Sequence, residues 1–223
     1  MTFLAENLIL LSLDYEKGEV NRNIADAYIY GLVGALLSEL EMLGKIQVSG
    51  DKLEVIDPSS SQNFALDTVL EELKISSQAL TVFEWLEVLS HNHPSLEEQL
   101  LDELVTKGIL EKREDRFLWI FPREKIIPNM PDVELDIRQE LREVLVHDKN
   151  PTPGIKRLVS LVEACRILPH IFSADDLPKA KERAKELSKN DVFGSVVAQA
   201  ISEYMRMLAF KTMQRWRIYP LGY

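Results

Sequence analysis

Apolar positions along the chain fall into helical periods for most of its length. Phe3, Leu4, Leu8, Ile9, Leu10, Leu11 and Leu13 surround a first segment on nearly every side, with Thr2 placed to cap it. A helix apolar all round is normally a buried one. Asp14 to Gly18 reads as a turn. From Asn23 to Leu43 the positions Ile24, Tyr28, Leu32, Leu36, Leu40 and Leu43 recur at helical spacing, and Gly44 follows as a stop. Gly31, Gly34, Ala35 and Ser38 keep adjoining faces small, which predicts close approach of a neighbouring helix.

Lys45–Val48 and Leu53–Ile56 alternate across Ser49-Gly50-Asp51 and predict a β-hairpin. Helices are predicted over 64–74, 78–91 and 95–107, the last with a Ser95/Glu98 capping box and Gly108 at its end. A second hairpin is predicted from Ile109–Arg113 and Arg116–Phe121, turning at Glu114-Asp115. Pro122 to Pro131 carries three prolines and reads as a loop. Helices over 132–146, 154–168, 175–189 and 191–216 complete the pattern. The expected architecture is mainly α: a compact helical-bundle core, surrounding amphipathic helices and two short β-hairpins. Residues 1–223 read as one domain, with 204–223 as a basic amphipathic extension, because the short Pro58–Ser61 linker does not require a break.

Composition removes several classes of function. Of 223 residues 46% are hydrophobic and 28% charged, proportions of a globular chain. A net charge of −10 argues against a uniformly basic nucleic-acid binder. A lone cysteine, Cys165, forbids an internal disulfide, disfavours a cysteine zinc site and fits a reducing compartment. No apolar run reaches the length of a membrane span. Glu6 inside the opening apolar run, without a basic segment before it, speaks against a signal peptide. A cytoplasmic protein, peripheral on a membrane at most, is the expectation.

The charge is unevenly spread. From Tyr204 to Tyr223 there are four basic residues, Arg206, Lys211, Arg215 and Arg217, and no acidic one, so the remaining 203 residues carry a net −14. Helix C-termini commonly collect such cations. On a helix Met205, Leu208, Ala209 and Thr212 or Met213, then Trp216, form an apolar stripe beside them. That stripe is expected to dock on an acidic body, this chain's own or a second copy's, with an anionic membrane interface as the other candidate.

Chemistry-bearing motifs are sparse. His91-Asn92-His93 lacks a third ligand and reads as a polar turn. Cys165, on the face of Leu158, Leu161 and Val162, reads as a core residue. The pairs Glu71-Glu72 and Glu97-Glu98 read as solvated helix faces. No phosphate loop, nucleophile elbow or zincin motif is present, and neither a cofactor, a metal nor catalysis is expected. The run Phe117-Leu118-Trp119-Ile120-Phe121 would present apolar groups on both faces of a strand, so Phe117, Leu118 and Trp119 are candidates for membrane or oligomer contact.

Several motifs in order resemble the Golgi phosphoprotein 3 family. They are Leu4-Ala-Glu6-x-Leu8-x-Leu10-Leu11-x-Leu13, Gly31-Leu-x-Gly34-Ala-Leu-Leu-x-Glu39-Leu40-x-x-x-Gly44-Lys-Ile46, Trp85-Leu86, Leu104-Val-x-Lys107-Gly108-Ile-Leu110 and Lys156-Arg157-Leu158-x-x-Leu161. The resemblance spans roughly residues 3–203. It implies a helical core without enzymatic activity. For eukaryotic members it implies binding of phosphatidylinositol 4-phosphate and of glycosyltransferase tails at Golgi membranes, with a hairpin matching Glu114–Phe121 used in oligomer and membrane contacts.

The family's headgroup positions, an aromatic and three arginines, correspond here to Ile24, Val33, Pro94 and Glu97. None can make a charge-assisted bond to phosphate, and Glu97 would repel it. The resulting expectation is a non-catalytic peripheral membrane or protein-binding adaptor without that headgroup site. Its candidate partners are an anionic lipid surface, a protein cargo and a second copy. The alternative is a winged-helix-like DNA-binding regulator, disfavoured because Glu97, Glu98, Asp102 and Glu103 on the helix before the hairpin would meet phosphates.

Overall fold

The computed structural model describes residues 2–20, 22–76, 79–117 and 121–218, with side chains described outside 22–27, 114–117, 121–124 and 211–218. Helix α1 (Leu4–Ser12) leads into a small ladder of β1 (Leu13–Asp14) and β2 (Glu19–Val20), then α2 (Arg22–Met42). Strands β3 (Ile46–Ser49) and β4 (Lys52–Val55) precede α3 (Phe64–Ile75), α4 (Val82–Asn92) and α5 (Leu96–Thr106). Strands β5 (Leu110–Phe117) and β6 (Phe121–Pro128) are followed by α6 (Pro131–Leu145), α7 (Pro153–Ala164), a short α8 (Leu168–Ile171), α9 (Leu177–Ser188) and α10 (Val192–Ile218). The fold is mainly α, with three separate two-stranded antiparallel ladders among the described residues. The two expected hairpins are present; the third closes the turn at Asp14–Gly18 by pairing Leu13 with Val20 and Asp14 with Glu19.

Helix α2 is the axis of the core. Every residue from 31 to 38 is buried, because α1, α4, α7 and α10 pack around it. The two glycines set how close those neighbours come. A Cβ on Gly31 would sit 2.4 Å from Cys165 Sγ, and one on Gly34 would sit 2.3 Å from Val197 Cγ2, both inside van der Waals contact. The small-residue pattern therefore encodes packing, as its spacing implied. Cys165 is a core residue, its thiol pushed up to about 12 by burial.

Local signals place most helix starts. Thr81 accepts from the Glu84 amide and Glu84 reaches back, a capping box for α4. Asn63 and Thr152 cap α3 and α7. Asp191 accepts from the Gly194 amide at 2.8 Å to start α10, and Arg157 joins that same carboxylate to Glu41 of α2. Helix α5 departs from expectation, because Ser95 is its N-cap but forms no capping box with Glu98; helix α1 departs too. Thr2 does not cap it; Phe3 is the N-cap, and the Phe3 and Leu4 amides donate to the Glu6 and Glu39 carboxylates at 3.0 Å each.

The hairpin of β5 and β6 also corrects the sequence reading. Glu114 and Asp115 are paired strand residues, opposite Glu124 and Arg123, rather than the turn. Residues 121–128 form a strand despite Pro122 and Pro128. The Asn129 amide bonds back to Ile109, whereas the Ile126 amide points outward to the Gly18 carbonyl. Alternate residues of a strand share a direction, so both prolines fall in Ile126's outward set, where no ladder hydrogen bond is lost. Pro131, the third, is the first residue of α6, where a missing N–H is harmless.

Candidate functional site

Ion pairs between distant segments come first, because they decide which charges are free to act. Glu6 is fully buried on α1, and Lys107, at the end of α5, meets it at 2.5 Å while lying 4.9 Å from the Phe3 ring centre. Burial raises the nearby Glu39 carboxyl, the Leu4 amide counters part of that rise, and Glu6 adds to it. This cluster pins α1, α2 and α5 together. It is structural, and the sequence showed it only as an odd acid inside an apolar run.

Several acids expected on solvated faces are likewise in use. Glu72 bonds His93 at 2.6 Å and also Asn92, which explains the His-Asn-His stretch as a clasp between α3 and α4. Glu103 accepts from the Asn63 side chain and the Ala65 amide, capping α3. Glu97 is half-buried, and burial raises its carboxyl. Glu98 and Asp102 are exposed, and Asp102 pairs with Lys112 of β5 at 2.6 Å. Helix α5 thus offers no basic face to a nucleic acid. Among the described residues no group of three His, Cys, Asp or Glu side chains is placed to hold a metal.

One end of the bundle gathers the remaining features. The start of α2, the end of α4, the start of α5 and the end of α7 meet there, and α10 passes beside them. Tyr30 of α2 packs edge-on against Tyr204 of α10, ring centres 6.1 Å apart. Residues 24, 33, 94 and 97 belong to this end. Val33 is fully buried in the core, Pro94 is exposed, and Glu97 is a half-buried acid beside the deeply buried Tyr28. Burial lifts the Tyr28 phenol far above its ordinary value, and Glu97 lifts it further. The Ile24 side chain lies outside the described residues.

Helix α10 leaves the core at the same end. Ile201 is buried and Tyr204 half-buried, but Met205, Met207 and Phe210 are 47%, 44% and 61% exposed, with Arg206 exposed among them. Of the stripe named above, Met205 and Ala209 are thus exposed and Leu208 is half-buried. The side chains of Lys211, Arg215 and Arg217 lie outside the described residues, although the helix continues to Ile218. The Phe117 side chain, Leu118 and Trp119 lie outside them too; β5 ends at Phe117, opposite Phe121. No helix among the described residues is long and apolar enough to cross a membrane.

A helical bundle built around a glycine-bearing helix, buried from residue 31 to 38, matches the helical core that the sequence motifs implied. The model of the Golgi phosphoprotein 3 (GPP34) family matches residues 4–204. The chain belongs to that family. No curated protein matches the sequence.

Proposed function

We propose that this chain is a non-catalytic peripheral membrane adaptor that meets an anionic surface through the end of α10. The observation that carries this reading is the turn after Tyr204. Consecutive residues on a helix are about 100° apart, so Met205, Met207, Leu208, Ala209 and Phe210 place apolar groups around the whole circumference, interrupted by Arg206. A helix docked on a protein needs one apolar stripe. One apolar on all sides suits surroundings that are themselves apolar on all sides. Arg206 can lay its stem along that surface and keep its head among phosphates. The absence of any acid after Glu203 removes repulsion from an anionic leaflet, where each nearby cation contributes about 1 kcal/mol. The family supports an adaptor role, with a protein cargo as the second partner.

Flotation of the full chain with phosphatidylcholine vesicles containing phosphatidylserine tests this. Binding is expected to rise with the anionic fraction and fall with salt. Met205→Ser with Phe210→Ser should abolish flotation and leave the circular-dichroism spectrum unchanged. Pro94→Ala and Glu97→Gln should leave it intact, since the family headgroup position is not used. Unchanged flotation of the Met205/Phe210 variant would defeat the proposal. A changed elution volume in that variant, without any flotation of the parent, would instead assign the surface to a second copy.

A further inference from the structure

Three cations gather at a cleft of about 460 Å³ between the end of α7, the start of α8, α9 and α10. Its rim carries Arg166, Lys181 and Lys185, and its wall is made by Leu168, Pro169 and Ile201. None of these three cations makes an ion pair or side-chain hydrogen bond among the described residues. All three are exposed. One carboxylate, Glu163, shares the cleft. Burial raises its carboxyl, and the three cations, acting through space to lower it, offset only part of that rise. Glu163 is the counter-charge that these cations meet within the cleft.

Backbone geometry makes the placement of Arg166 specific. It stands one residue past the C-cap of α7 with φ of +59°, closing the helix by bonds from its amide to the Glu163 carbonyl and from Ile167 to Val162. Glycine is the usual residue there, because a side chain in the left-handed region costs roughly 1 kcal/mol or more. Asn, Asp and Gln occupy the other non-glycine positions of this kind in the chain; Arg166 alone is charged positively. Lys181 and Lys185 are four apart on α9 and so project from one face toward it.

We infer that this cleft is a binding site for a phosphate monoester, with Arg166, Lys181 and Lys185 as its three donors. Arg166 supplies a planar fork that matches two phosphate oxygens, and the lysines supply point charges on either side. The apolar wall fits the organic part of the ligand. Ile201 stands one helical turn before Met205, so the site opens onto the surface proposed above to meet lipid, and a lipid source for the phosphate rests on that reading. It is separate from the positions Ile24, Val33, Pro94 and Glu97.

Two probes distinguish the sources. Glycerol 3-phosphate is titrated calorimetrically into the full chain, and flotation is measured with phosphatidylcholine vesicles containing phosphatidic acid. Saturable binding of glycerol 3-phosphate, weakened about fivefold by each of Arg166→Ala, Lys181→Ala and Lys185→Ala, supports the site with a soluble ligand sufficing. Binding to the vesicles alone, weakened by the same variants, supports it with a lipid ligand. Lys156→Ala, exposed on α7 outside the cleft, controls for net charge and should change neither. Glu163→Gln should tighten binding by removing the internal negative charge. Failure of both probes, or equal loss with Lys156→Ala, overturns the proposal. Vesicle binding that persists in all three cleft variants overturns it as well, while leaving the α10 membrane reading in place.

Discussion

Lys107→Met is expected to destabilise the fold by about 2 kcal/mol, less than the loss of one partner of a fully buried ion pair because the Lys107 side chain is 34% exposed. The substitution keeps the apolar stem but leaves Glu6, with no exposed surface, beside Glu39 and without its cation. Urea unfolding should show a lower midpoint at an unchanged slope. Adding Glu6→Gln should recover part of the loss, since the amide still accepts from Phe3 and no bare charge remains. A double variant no more stable than the single would show that Lys107 acts through packing on Phe3 instead. Glu39 gives a related result with a pH signature. Its carboxyl is raised in the folded state, so the native protein holds that proton to higher pH than the unfolded chain does. Its contribution is therefore favourable at low pH and is lost as pH rises through the folded value. Glu39→Gln should gain stability at neutral pH relative to the parent and gain little in acid.

Gly34→Val is expected to cost about 3 kcal/mol, at the upper end for overpacking. The new Cβ would fall 2.3 Å from Val197 Cγ2 on α10, with Leu161 and Leu86 also within 4 Å, so no direction of small relaxation is open. The intrinsic helix preference of valine over glycine offsets only a few tenths of a kcal/mol. Combining it with Val197→Ala should restore most of the stability, because the two changes exchange volume across one contact. A Gly34→Val variant as stable as the parent would mean that this glycine does not set the spacing of α2 and α10.

Local chemistry in the sequence determined where several helices begin, because Asn63, Thr81 and Thr152 cap within three residues of themselves, whereas the expected Thr2 and Ser95 side-chain caps do not form. It also determined that Gly31 and Gly34 serve packing and that Cys165 is inert. Each of these follows from the periodicity or steric size of neighbouring residues. The ordered motifs identified the family for the same reason: they are the seams of its core.

Only the tertiary structure decided what distant charges do. Glu6 and Lys107 are 101 residues apart, and Arg157 and Glu41 are 116 apart, so no local pattern could pair them. Prolines at 122 and 128 read as a loop because their tolerance depends on which way each amide points in a pairing not yet known. Met205, Leu208 and Ala209 share a stripe in the sequence, but how much of it meets the core depends on how α10 packs beside Tyr30. Arg166, Lys181 and Lys185 lie on two segments whose approach is set by α7 and α9 packing together. Hydrophobic spacing fixes the face a helix buries; which faces then meet, and which charges they strand or join, is settled only when the whole core closes.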